Sequence, residues 1–102
     1  MVTGVLLKHE SDSSYVIIRH NIRTYQSGGV VEVVKGSHRA ENEIKTFQEC
    51  QTSSDRLEGW RYFSEITSLA PGTDPVEATR LRQADLEIRE FKALEHTTPI
   101  ER

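Results

Sequence analysis

The residues best equipped for chemistry in this chain are its four histidines, its single cysteine and two short basic stretches. A metal site or an acid-base pair needs side chains that converge, and the histidines do not. His9 and His20 are separated by most of a strand at about 3.3 Å per residue. His38 stands where a helix should begin, at the other end of the next strand, and His96 lies near the C-terminus. No H-E-x-x-H spacing, P-loop, G-x-G-x-x-G or G-x-S-x-G is present. Cys50 alone permits neither an intrachain disulfide nor a multi-cysteine zinc site. Nothing in Gln48-Glu49-Cys50-Gln51 supplies a base, so Cys50 reads as helix packing. Glu41, Asp85, Glu87, Glu90 and Glu95 fall on the polar faces of the expected helices, and Glu10 and Asp12 belong to a turn. The chain reads as a non-enzyme that needs no cofactor or metal.

The basic residues offer a different chemistry. In Lys35-Gly36-Ser37-His38-Arg39 a helix N-terminus would present free amides beside Lys35, Ser37, His38 and Arg39, a combination suited to a phosphate or carboxylate. Arg19, Arg23 and Tyr25, on or beside a glycine-rich loop, could combine cationic contact with stacking on a base. Five basic residues (Lys8, Arg19, Arg23, Lys35, Arg39) oppose three acidic ones (Glu10, Asp12, Glu32) up to position 39, in a chain whose net charge is -3. That split suits a local patch, not a dedicated nonspecific nucleic-acid binder. Trp60 and Tyr62 mark a third place, a pocket between the sheet and the first helix.

The elements that would position these groups follow from periodicity. A chain of 102 residues, 35% hydrophobic and 28% charged, fits one domain with an ordinary core. No apolar run approaches the roughly 20 residues that span a bilayer, and residues 1–8 are too short and too weakly charged for a secretory signal. The expected location is the cytoplasm, with no membrane partner.

Ser14 to His20 is the densest β-branched and aromatic run, apolar at both parities, and so predicts a central strand covered on both faces. Val2 to Lys8 predicts a strand before it, joined through Glu10-Ser-Asp12-Ser as a hairpin. Val30 to Lys35 is the third strand, after a loop containing Gly28-Gly29. A helix over 37–52, with Ser37 as its cap, carries the stripe Ala40, Ile44, Phe47, Gln51, and Asp55 to Glu58 forms one short turn. Trp60 to Ile66 is the fourth strand, with the Trp60, Tyr62, Ile66 parity facing the core. Asp74 or Thr73 caps a second helix from Pro75 to about Glu95 with the stripe Leu81, Ala84, Ile88, Phe91, continued by Leu94. That stripe is short for a coiled coil, so sheet packing is its expected use and a dimer seam the alternative.

The predicted class is α+β, ordered β-β-β-α-β-α, with a four-stranded, mainly antiparallel sheet in spatial order 3-2-1-4 and two helices. Residues 1–95 form the domain and 96–102 a tail. Two strands apolar on both faces, with only two helices to cover them, leave surface for association. The expected function is therefore a small non-enzymatic protein-interaction or homodimerising module. Its expected contacts are Tyr15 and Ile17 on the sheet, or Leu81, Ile88 and Phe91 on the second helix. The alternatives are a nucleic-acid or anion-binding accessory domain using the Arg19 to Arg39 region, and a small-ligand protein or enzyme with its pocket near Trp60 and Tyr62.

Overall fold

The computed structural model describes residues 13–97, with side chains described up to residue 94. In chain order the elements are β1 (Ser14–Asn21), β2 (Ser27–Lys35), α1 (Ser37–Glu49), α2 (Ser53–Glu58), β3 (Trp60–Thr67) and α3 (Pro75–Thr97). They form a small α+β domain around a three-stranded antiparallel sheet in the order β2-β1-β3.

β1 takes the centre because its composition leaves no other stable place for it. Val16, Ile17 and Ile18 are consecutive and all buried, so both faces of the strand need a cover. Val16 and Ile18 pack with Val30, Val33 and Ala78 on the α3 side. Ile17 packs with Val34 and Ala40 on the α1 side, joined by Tyr15, Ile44, Phe47 and Tyr62. The two long helices therefore cover opposite faces.

Pairing runs from Ser14↔Lys35 to His20↔Ser27 on one edge of β1, with two irregularities, after Ile17↔Glu32 and after Arg19↔Gly29, that leave Val31 and Gly28 without opposite residues. On the other edge it runs without a break from Ser14↔Thr67 to Asn21↔Trp60. The expected order 3-2-1-4 is therefore replaced. Val2 to Lys8 lies outside the described residues, and the place expected for it beside β1 is filled by β3, which was expected to pair elsewhere. The reason is topological. From the end of β2, α1 and α2 carry the chain back over one face to the opposite end of the sheet, so β3 enters next to Asn21 and runs antiparallel to β1.

One corner fixes that entry. Asn21 is buried, its Oδ1 accepts from the Arg23 and Thr24 amides at 2.9 and 3.0 Å, and its Nδ2 donates to the Glu58 carbonyl at 3.0 Å. The Ile22 amide donates to the Gly59 carbonyl at 2.8 Å. Gly59 has φ 105°, and a Cβ there would lie 2.7 Å from both Asn21 Oδ1 and Arg23 Cγ. Only glycine meets both conditions.

Helix caps and stripes agree with the sequence in part. Asp74 Oδ2 accepts from the Val76 and Glu77 amides at 3.0 and 3.2 Å, as its position before Pro75 predicts. Ser37 does not cap α1. Gly36 is the N-cap residue at φ 93° with no side-chain cap, and its amide donates to the Ser13 carbonyl at 2.7 Å, so the strand end and the helix start share one glycine turn. The stripe Ala40, Ile44, Phe47 faces the sheet, and Gln51 Nε2 donates to the Trp60 carbonyl at 2.9 Å. Cys50, read as packing, is exposed because it occupies the C-cap position beyond the last inward turn. Tyr62 reaches the core but Ile66, on the same parity, is 63% exposed. α1 starts beside the end of β2 and finishes near the start of β3, so the far end of β3 stays uncovered on that face.

The second stripe departs furthest from expectation. α3 meets the sheet through Ala78, with Thr79, Arg82 and the half-buried Leu81 beside it, and not through Ala84, Ile88 and Phe91. Thr79 Oγ1 accepts from the Val30 amide at 2.9 Å, and Arg82 makes a two-pronged contact with Glu65 at 3.0 and 3.1 Å. These polar anchors set the rotation of the helix.

Candidate interaction surface

Past Leu86, which is half-buried, every side chain of α3 from Glu87 to Leu94 is exposed. Three of them are large and apolar: Ile88 is 55%, Phe91 63% and Leu94 66% exposed. At 3.6 residues per turn, Ala84, Ile88 and Phe91 lie about 140° to 200° around the helix from Leu86. They form an apolar line on the side of α3 turned away from the sheet. Scattered exposed apolar residues are ordinary on any surface, whereas these stand in a line at helical spacing.

The charges along α3 are ordered around that line. Asp85 and Lys92 follow one of its edges and Arg80 and Glu87 the other. Arg80 bonds Glu77 one turn back, and Arg89 bonds Asp85 at 2.8 Å. The hydrogen bond from Arg80 holds the Glu77 carboxyl below its ordinary range and raises the guanidinium in turn. All these groups are on the surface, so they keep the helix soluble and ordered more than they stabilise the fold.

The other expected residues are placed differently. Ile17 is completely buried beneath α1 and Tyr15 is half-buried beside it, so the sheet face offers no surface there. Arg19 stacks 3.9 Å from the Trp60 ring centre and lies 3.5 Å from Asp55. Arg23 donates to the Leu57 carbonyl at 2.7 Å. Both arginines fasten α2 to the hairpin. Tyr25, at φ 65°, is exposed on the loop tip. Lys35, Ser37, His38 and Arg39 stand at the other end of β2, about 26 Å away at 3.3 Å per residue, and Arg39 pairs with Glu43 at 3.3 Å. The two basic groups do not meet.

Trp60 and Tyr62 are committed as well. Tyr62 stacks on Phe47 with ring centres 5.0 Å apart, and Arg19 covers Trp60, so the space expected between sheet and α1 is filled by packing. Open grooves lie instead under α3, on either side of the Arg82–Glu65 pair. One of about 600 Å³ is lined by Val16, Leu69, Leu81 and Arg89, and one of about 350 Å³ by Ile18, His20, Phe63 and Leu86. Glu32, half-buried near Glu43, has its carboxyl pKa raised, first through burial and then through repulsion from Glu43. Among the described residues no three His, Cys, Asp or Glu side chains converge as metal ligands, and no helix is long and apolar enough to cross a membrane.

The chain matches no protein-family model, no curated protein and no solved structure. Its own surface must carry the functional reading.

The sequence reading expects the Ile88 and Phe91 stripe to pack on the sheet, with a dimer seam as the alternative, and the structure leaves both residues exposed. Ile66, expected in the core, and Phe63 are exposed as well. The signal for the outward turn of the stripe was present in Thr79 and Arg82, polar residues at a spacing of three on the opposite side. What it lacked was the contact partners, Val30 and Glu65, which are distant in sequence.

Proposed function

We propose that this protein is a small non-enzymatic interaction module that works by homodimerising through the outer face of α3. The observation that supports this reading is the line Ala84, Ile88 and Phe91, with Leu94 at its edge, the last three each more than half exposed on a helix whose inner face meets the sheet. Burying three such side chains on each of two copies removes about 700 Å² from water, less than the roughly 1,000 Å² of a stable specific interface, and so suits a weak, transient dimer. Nothing comparable supports the nucleic-acid reading, because Arg19, Arg23 and Arg39 already have partners within the chain.

The test is solution mass by sedimentation over a concentration series from about 1 μM to 1 mM, the range of a weak dimer. The expected result is a rise from monomer to dimer. Ile88→Asp should hold the protein monomeric throughout, with its circular dichroism unchanged. A wild-type chain that stays monomeric at the highest concentration would sink the reading.

A further inference from the structure

Resting on that reading, we infer that two copies pair their α3 helices antiparallel, centred between Arg89 and Glu90, so that Ile88 of each copy packs on Phe91 of the other. The order of residues along α3 chooses this arrangement over a parallel one.

Written as a heptad, Leu81 and Ile88 take one core position and Ala84 and Phe91 the other, with Asp85 and Lys92 on one flank and Arg80, Glu87 and Leu94 on the opposite flank. In an antiparallel pair like flanks meet. With the centre between residues 89 and 90, Asp85 of each copy, bonded to Arg89 in its own chain, also comes beside Lys92 of the other, giving two symmetry-related clusters of opposite charge. The same register sets Leu94 against Ala84 of the second copy, where the small side chain leaves room for it. All four apolar positions of the exposed segment are used.

A parallel pair uses them less well. It would need the Leu81 layer, but Leu81 is half-buried and lines the groove with Val16 and Leu69. It would also bring both sheets to the same end of the seam, whereas the antiparallel pair sets them at opposite ends and opposes the helix dipoles. In the antiparallel register Thr97 of one copy is level with Arg82 of the other. The overlap therefore stops where α3 is anchored to the sheet by the Arg82–Glu65 pair.

Single-cysteine variants bridged by a short bis-maleimide distinguish the arrangements, with the exposed native thiol removed as Cys50→Ser. Ala84→Cys mixed with Leu94→Cys should give a cross-linked heterodimer, while Ala84→Cys alone should give none, its two copies lying about 15 Å apart along the seam. Efficient cross-linking of Ala84→Cys to itself would overturn the antiparallel order and establish the parallel one. A dimer by mass with neither cross-link would overturn the register, and a monomer under every condition would instead remove the underlying reading. Sedimentation of each variant before cross-linking confirms that it still dimerises.

Discussion

α1 and α3 carry apolar stripes of the same period, yet one stripe is in the core and the other in solvent. Ala40, Ile44 and Phe47 lie against Ile17, Val34 and Tyr62, while Ala84, Ile88 and Phe91 face away from the sheet. Period alone thus announces that a face will be covered without saying by what. The difference is made by polar groups. Beside the α1 stripe, Glu43 bonds Glu32 of β2 and, just past the helix end, Gln51 bonds the Trp60 carbonyl, so there polar contacts and hydrophobic burial favour the same rotation. On α3, Thr79 and Arg82 find partners on β2 and β3, and these half-buried polar contacts turn the apolar stripe away from the sheet.

The same substitution on each helix is the strongest way to break this comparison. Phe47→Ala should cost about 3 kcal/mol of folding stability, because it empties a site stacked on Tyr62. Phe91→Ala should change monomer stability by less than about 0.5 kcal/mol. Urea melts at low protein concentration measure both, and equal losses would show that the two stripes do the same job.

Thr79→Val is the intermediate case. It keeps shape but leaves the Val30 amide without its acceptor, for a loss of about 1–2 kcal/mol. Faster hydrogen exchange at the Val30 amide would confirm the cause.

The smallest expected effect sharpens the α1 side. Burial and Glu43 raise the Glu32 pKa in the folded chain. A raised carboxyl contributes stability that is present below the unfolded value and is lost as pH rises through the folded one. Glu32→Gln should therefore be slightly more stable than wild type at pH 7, by well under 1 kcal/mol after solvent screening. The gap should close as pH falls to the ordinary carboxylate range, where both chains carry a neutral group. Melting curves across pH measure it, and a gap that widens toward acid would reverse the assignment.

These contrasts also explain what could be read in the sequence. The central place of β1 was legible because Val16, Ile17 and Ile18 leave neither face free. The start of α3 was legible because Asp74 and Pro75 act locally. Strand order was not, since the edge that β3 occupies depends on how far α1 and α2 carry the chain back. The fate of Cys50 depended on a helix ending at Glu49 and not at Thr52. For the exposed face of α3 the apolar spacing was legible and its orientation was not. Orientation rested on Arg82 meeting Glu65, a contact across 17 positions of sequence.

The Asn21 corner links two events in time. The hairpin of β1 and β2 is a local structure that a short chain segment can form, whereas β3 must return across α1 and α2 before it can add. The Ile22 amide has its acceptor on Gly59, so it becomes protected only when that return is complete. The neighbouring Arg23 and Thr24 amides bond to an Asn21 side chain that is itself held by Glu58. Slow exchange at these three loop amides therefore reports the attachment of the third strand, and the loop serves as a clock for the last step of assembly.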